Sequence, residues 1–123
     1  KANVNEKDYY EKTSLHRACS LESNEKVIEL LFKHKATANE RDKERRTPLH
    51  HACLQENNDN AIYILLNYNA NVNVPDLYFE TPLHYVAVLK NKNSLLWHSI
   101  LKHANINVIN SAGMNLLHLL CNR

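Results

Sequence analysis

The tetrapeptide TPLH occurs at residues 47–50 and again at residues 81–84. Related tetrapeptides stand at the same step on either side, TSLH at residues 13–16 and NLLH at residues 115–118. The leucine of this motif therefore recurs every 34 residues, at Leu15, Leu49, Leu83 and Leu117. A fixed period between about 20 and 50 residues is typical of a solenoid, in which each unit packs mainly on its neighbours.

Three further positions keep the same step as the leucine. They are an alanine, an asparagine and an aspartate position: Ala2, Ala36, Ala70 and Ala104; Asn5, Asn39, Asn73 and Asn107; Asp8, Asp42, Asp76 and Asn110. Because four independent positions stay in one phase without a gap, chance is a poor explanation of the repeat.

Each unit can be interpreted as a helix, a turn, a second helix and an extended finger. Thr13, Thr47 and Thr81 are N-cap residue types, and Pro48 and Pro82 follow at the first helical position, where a missing N–H costs little. A short apolar segment comes next, then a polar stretch and a second segment with apolar residues at helical spacing. One such helix pair cannot bury its apolar face alone, but a stack of identical pairs can.

These motifs resemble those of ankyrin-repeat proteins. TPLHHAC, TPLHYVA and TSLHRAC are similar to the T-P-L-H-x-A start of the family's first helix, and ANVN, ATAN and ANIN are similar to its A-D-V-N segment. The resemblance covers the whole chain. It implies an all-α fold, an ankyrin-repeat solenoid of stacked helix-turn-helix units with protruding β-hairpin-like fingers.

The register divides a single ankyrin-repeat domain, residues 1–123, into five parts. These are the end of a preceding repeat with its finger (1–12), three full repeats (13–46, 47–80 and 81–114) and the first helix of a further repeat (115–123). The last segment is apolar, whereas terminal repeats normally carry a polar outer face. We therefore expect the chain to be part of a longer array, or to make an end-to-end contact at residues 115–123.

The turns depart from the family pattern. The period is 34 residues, where the family usually has 33. Lys35, Asn69 and His103 stand where the family usually has glycine before its A-x-V-N segment. The chain has 18 asparagines and one glycine, and both residues can adopt left-handed turn conformations. The sequence therefore predicts that asparagine forms the corners of this fold.

Histidine and cysteine are the residue types of this chain that most often bind metals or act in catalysis. Equivalent residues of stacked helices lie roughly 8–10 Å apart, so the histidines that recur once per unit form a row and cannot converge on one ion. The resemblance implies that each of them binds backbone or threonine groups at the base of a finger. These histidines are His16, His50, His84 and His118.

The cysteines share a small position in the predicted core. Cys19, Cys53 and Cys121 occupy it in three units and Ala87 in the other. Neighbouring units hold these residues too far apart for a disulfide, whose Cα–Cα limit is about 7 Å. Buried thiols are typical of a reducing compartment, which favours an intracellular location in the cytoplasm or nucleus, or in a host cell if the chain is a pathogen effector.

Other classes of function find little support in the sequence. There is no glycine-rich phosphate loop, no H-E-x-x-H motif and no paired C-x-x-C, so we expect no enzyme activity, no cofactor, no metal and no small-molecule substrate. No apolar run approaches the roughly 18 residues of a membrane span. The net charge of +2 is too small to argue for nucleic-acid binding.

The segments that differ between units point to a binding surface. Ankyrin-repeat proteins bind partners through their fingertips and the concave face of the first helices, and the tips here read DYYEK (8–12), DKERR (42–46) and DLYFE (76–80). Aromatic residues and arginine are enriched among residues that dominate protein interfaces. The candidate contact residues are Tyr9, Tyr10, Arg41, Lys43, Arg45, Arg46, Leu77, Tyr78 and Phe79 at the tips, with Arg17 and His51 on the first helices.

The sequence therefore predicts a non-catalytic module that binds another protein. One alternative stays open, that these residues are the targeting or regulatory segment of a larger enzyme, channel or pathogen effector. A weaker one is a nucleic-acid-binding protein, whose affinity would fall steeply with salt. The sequence does not identify the partner.

Overall fold

A computed structural model describes residues 3–21, 24–55, 58–89 and Lys102. Within that part of the chain the secondary structure is helical, without strands. Five helices are present there: α1 (Ser14–Cys19), α2 (Glu25–Lys33), α3 (Pro48–Leu54), α4 (Asp59–Asn67) and α5 (Pro82–Leu89). The expected second helix of the repeat that begins at residue 81 lies outside the described residues except for Lys102, which is helical, and the expected helix at 115–123 lies outside them entirely.

The helices pack in two layers. In one layer α3 lies between α1 and α5, and in the other α2 packs against α4, while α1 with α2 and α3 with α4 form the helix pairs. The long segments between the pairs are the fingers that the sequence predicts. The all-α solenoid expected from the repeat is confirmed.

The first helices α1 and α3 begin at a threonine cap. The Thr13 and Thr47 side chains accept hydrogen bonds from the backbone N–H of His16 and His50, at 3.4 Å in both cases. Pro48 occupies the first turn of α3, where its missing N–H leaves no helical bond unmade. The repeated T-x-L-H motif thus sets the start of each first helix.

The repeated leucine forms the centre of the core. Leu15, Leu49 and Leu83 are all buried, and Leu49 is fully inaccessible to solvent. Cys19 and Cys53 are buried beside them, as the shared small position predicts. Burial raises the pKa of the Cys19 thiol far above its usual value, so this sulfur stays protonated.

The corners of the fold differ from the prediction in which residues form them. Among the described residues, five that are not glycine have a positive φ, and Asn69 is the one asparagine of these five; the others are Glu11, Lys35, Arg45 and Phe79. The expectation that asparagine forms the corners is therefore wrong for most corners in the described ranges. Lys35 (φ 71°) and Asn69 (φ 67°) nevertheless keep the left-handed geometry of the glycine that they replace.

Helix-ending hydrogen bonds hold Lys35 in this conformation. Its N–H donates to the Phe32 carbonyl at 3.0 Å, and the Ala36 N–H donates to the Leu31 carbonyl at 3.0 Å. This is the Schellman arrangement, which satisfies the last carbonyls of a helix and normally employs glycine. The same pair of bonds recurs one unit later at the end of α4.

The repeated asparagine instead joins neighbouring units. Asn5 donates to the Lys35 carbonyl at 3.3 Å and accepts from the Thr37 N–H at 2.8 Å. Asn39 makes the equivalent bonds to Asn69 and Asn71, at 3.2 and 2.7 Å. Each asparagine therefore braces the left-handed corner of the next unit, which explains its fixed place in the repeat.

Candidate protein-binding surface

An aspartate organises each finger from within. In the second finger, one carboxylate oxygen of Asp42 accepts from the backbone N–H groups of Glu44 (2.9 Å) and Arg46 (3.0 Å). The Asp42 N–H donates to the Arg46 carbonyl, and the Arg45 N–H donates to the Asp42 carbonyl. Asp8 and Asp76 make the same bonds in their own fingers. The side chains between these bonded positions are not needed to close the turn.

The second oxygen of each aspartate ties the finger to the adjoining first helix. Arg17 donates to Asp8 (Nε, 3.0 Å), and Tyr85 donates through its hydroxyl to Asp76. His51 is hydrogen-bonded through Nε2 to Asp42 at 2.8 Å. Burial acts to raise the pKa of Asp42, but the hydrogen bonds from His51 and Arg46 outweigh it, so the pKa lies below its usual value.

The repeated histidines link each unit to the finger of the next. Nδ1 of His50 accepts from the Thr47 N–H at 3.0 Å, and its Nε2 lies 3.0 Å from the Glu80 carbonyl. Because a backbone N–H can only donate, Nδ1 must be the acceptor, and Nε2 carries the proton that it donates. His16 makes the equivalent contacts with Thr13 and Arg46. The interpretation as supports of the finger base is confirmed for His16 and His50, and His84 makes the same contact with Thr81, while His118 lies outside the described residues.

Burial and hydrogen bonding set the protonation state of the repeated histidines. Burial lowers the pKa of His50 to about 4, and it lowers the pKa of His16 and His84 as well. These rings are neutral at pH 7, with both nitrogens of His16 and His50 engaged in hydrogen bonds. In the described part of the chain, no group of histidine, cysteine, aspartate or glutamate side chains is arranged to hold a metal ion.

Backbone contacts fix the fingers relative to one another. The Lys43 N–H donates to the Tyr10 carbonyl at 3.1 Å, and one unit later the Leu77 N–H donates to the Glu44 carbonyl at 2.9 Å. Arg41 adds a bond from Nη2 to the Pro75 carbonyl at 2.7 Å. Three successive tips therefore form one preorganised row.

The outer tips expose large apolar side chains. Tyr9 is 79% exposed and Phe79 is 83% exposed, and Tyr10, Leu77 and Tyr78 are exposed as well. We name the side chains of residues 9–11, 43–45 and 77–79 the fingertip surface. Its first and third tips are aromatic, and its middle tip carries Lys43 and Arg45, both exposed.

Some of the predicted contact residues form hydrogen bonds or ion pairs within the protein. Arg46 is only 20% exposed in its side chain and bonds Asp76 at 3.3 Å, between the second and third fingers. His51 is buried against Asp42. Arg17 is exposed but is paired with Asp8, and Arg41 is bonded to carbonyl groups. Whether any candidate contacts a partner stays a prediction.

Two aromatic residues of the tips also contact basic neighbours. Lys43 Nζ lies 4.1 Å from the centre of the Tyr9 ring, and the Arg46 guanidinium lies 5.8 Å from the centre of the Tyr78 ring. These are cation–π distances, so both tyrosines have a role in the free protein. Phe79 is the most exposed of the five apolar tip residues.

Sequence reasoning missed Tyr85, and it missed that each aspartate both closes its own finger and bonds the adjoining first helix. Tyr85 occupies the register of Arg17 and His51, one unit further along. That shared register, set beside the aspartate register nine residues earlier, was the signal that could have paired Asp8 with Arg17, Asp42 with His51 and Asp76 with Tyr85.

Comparison with known proteins agrees with the fold. The family model for ankyrin repeats, in three copies, matches residues 1–76, which is more than half of the chain. The chain therefore belongs to the ankyrin-repeat family, whose members generally act as protein–protein interaction modules. No curated protein matches the chain. Within the described ranges, no helix is both long enough and apolar enough to cross a membrane.

Proposed function

We propose that this chain is a non-catalytic module that binds a protein partner through its fingertip surface. The observation that carries the proposal is the separation of tasks within each finger. Buried aspartate and histidine side chains close and anchor the second and third fingers, whereas residues 77–79 are all exposed apolar or aromatic side chains. The turn does not need those side chains, and their exposure is unfavourable in water.

The surface suits a protein partner for two physical reasons. Exposed apolar groups gathered on one surface mark interaction sites more often than scattered single residues do. The hydrogen bonds along the row of fingers hold the tips in place before binding, which reduces the ordering cost of association. The buried cysteines Cys19 and Cys53 support an intracellular location for this interaction, because thiols persist in reducing compartments.

A matched pair of leucine variants tests the proposal. Leu77 on the third tip is 50% exposed, and Leu30 on α2 is 54% exposed, so the two residues offer similar apolar area at different places. We expect Leu77→Ala to lower the recovery of a specific partner in an affinity pull-down, quantified against the wild-type chain. Leu30→Ala should recover it normally.

The reverse result would assign binding to the second-helix face. Equal recovery by both variants, with both chains folded by circular dichroism, would remove the fingertip surface as the binding site. Thermal unfolding of each variant separates lost binding from lost folding.

A further inference from the structure

The apex of each finger is one structural position filled by three different residues. Glu11, Arg45 and Phe79 have φ values of 61°, 61° and 63° and are all exposed. A left-handed conformation is unfavourable for any residue with a Cβ, and an exposed phenyl ring adds apolar surface in water. Phe79 therefore combines an unfavourable backbone conformation, which it shares with Glu11 and Arg45, with an unfavourable exposure of apolar surface.

The acidic side chains of the second finger are paired with basic neighbours inside the protein. The carboxylate of Asp42 is buried against His51, and Glu44 is paired with Arg46 at 3.5 Å. Lys43 and Arg45 are exposed on either side of Glu44, with the Lys43 ammonium next to the Tyr9 ring and no carboxylate paired with either residue among the described ion pairs. The centre of the fingertip surface is therefore positive, with apolar groups on the first and third tips.

The outer tips differ in charge from the middle one. Glu11 is exposed on the first tip, and residues 77–79 of the third tip are uncharged. The positive charge of the fingertip surface therefore lies at its centre, between two tips that are mainly apolar. A basic residue of a partner segment would be repelled at that centre.

The spacing of the fingers sets the length of a matching ligand. Stacked helices lie roughly 10 Å apart, so the first and third tips are separated by roughly 20 Å. An extended chain advances about 3.3 Å per residue and crosses that span in about six residues. An extended peptide can therefore place apolar side chains on both outer tips and a carboxylate on the middle one.

We propose that the fingertip surface recognises an extended segment of a partner protein in which an acidic residue lies between two apolar residues about six positions apart. Phe79 and Leu77 receive one apolar side chain, Tyr9 and Tyr10 receive the other, and Lys43 with Arg45 binds the carboxylate. This inference rests on the proposed function and adds the chemistry of the ligand to it.

Selection from a displayed library of random 12-residue peptides tests this proposal. The immobilised wild-type chain should enrich peptides with one or two central acidic residues flanked by apolar ones. The best peptide is then synthesised with a fluorophore, and its affinity is measured by anisotropy. We expect the Lys43→Glu/Arg45→Glu variant to bind it at least 10-fold more weakly, and we expect added salt to weaken binding to the wild type.

A charge swap gives the decisive control. Replacing the central acid of the peptide with lysine should abolish binding to the wild type and restore it to the Lys43→Glu/Arg45→Glu variant. A merely structural role of Lys43 and Arg45 would not produce that rescue. Phe79→Gly should weaken binding of the acidic peptide at least 10-fold, whereas Lys35→Gly, at a left-handed position outside the fingertip surface, should leave it within about 3-fold.

The outcomes separate this inference from the proposed function. Enrichment of centrally basic peptides, or of none, overturns the acidic segment, as does acidic-peptide binding without charge-swap rescue. The proposed function would still stand if Leu77→Ala reduced recovery of the natural partner. If Leu30→Ala and not Leu77→Ala weakened both the peptide and the natural partner, both proposals would fail.

Discussion

The base and the tip of each finger are neighbours in sequence but differ in how much they vary. The base, which we define as the aspartate, threonine and histidine of each unit, has the same three residue types in the three fingers that the structure describes. Asp42, Thr47 and His50 are buried and joined to their surroundings by hydrogen bonds. The tip changes completely from one finger to the next, from YYE to KER to LYF.

The difference can be seen between adjacent residues. Arg45 stands at the apex of the second finger, exposed, while Arg46 reaches into the gap between fingers and bonds Asp76. Two arginines in sequence therefore have different tasks, one available to a partner and one occupied by the fold. Residue type alone does not identify the binding residues of this chain, because the position within the repeat decides the task.

The largest expected effect comes from removing apolar volume beneath the fingers. Leu49→Ala should lower the free energy of unfolding by about 2–5 kcal/mol, because the fully buried leucine leaves a cavity. Leu77→Ala, on the exposed tip, should change it by less than about 0.5 kcal/mol. Urea unfolding of both variants measures the contrast, and similar losses for the two would mean that the tips belong to the core.

Lowering the pH should destabilise the base of each finger before it affects the fingertip. The pKa of His50 is lowered from 6.5 to about 4, so its stabilisation is complete above pH 6.5 and declines as pH falls to about 4. That window corresponds to roughly 3 kcal/mol for this residue. The pKa values of His16, His51 and His84 are lowered too, so their contributions have the same sign.

Unfolding free energies measured from pH 7 to pH 4 check the histidine effect. His50→Gln removes the titrating ring, so the variant should lose less stability on acidification than the wild type does. Parallel curves for the two proteins would show that His50 is not buried as a neutral ring.

The smallest expected change in stability comes from placing glycine at the apex of each finger. Glu11→Gly, Arg45→Gly and Phe79→Gly should each stabilise the fold, by roughly 0.5–1 kcal/mol, because glycine adopts a positive φ without steric cost. Thermal unfolding measures the three variants side by side. Destabilisation of all three would contradict the left-handed geometry of the apex.

The sequence alone predicts much of the base and little of the tip. Period, caps and buried leucines follow from residue types that repeat, because the same environment selects the same residue in every unit. The row of histidines could be assigned to the finger base for the same reason. The corners could not be predicted so well, since hydrogen bonds hold Lys35 in a conformation that its type does not favour.

The candidate surface was predicted as a region but not residue by residue. Exposure of Tyr9 and Phe79 agrees with their place on variable tips. Arg46 and His51 look equally suited to binding by type, but they are directed by partners far along the chain or on another element. The Arg46–Asp76 contact depends on how the units stack, which a single sequence does not specify, whereas the Asp42–His51 contact follows the nine-residue register.

The central claim is that the tip is maintained for binding at some expense to folding, and Phe79→Gly tests it most directly. Thermal unfolding and affinity for the partner recovered by the wild-type chain are both measured on this one variant. The account predicts a chain that is more stable, by roughly 0.5–1 kcal/mol, and that binds at least 10-fold more weakly. A variant that unfolds more easily, or that binds its partner as the wild type does, would contradict it.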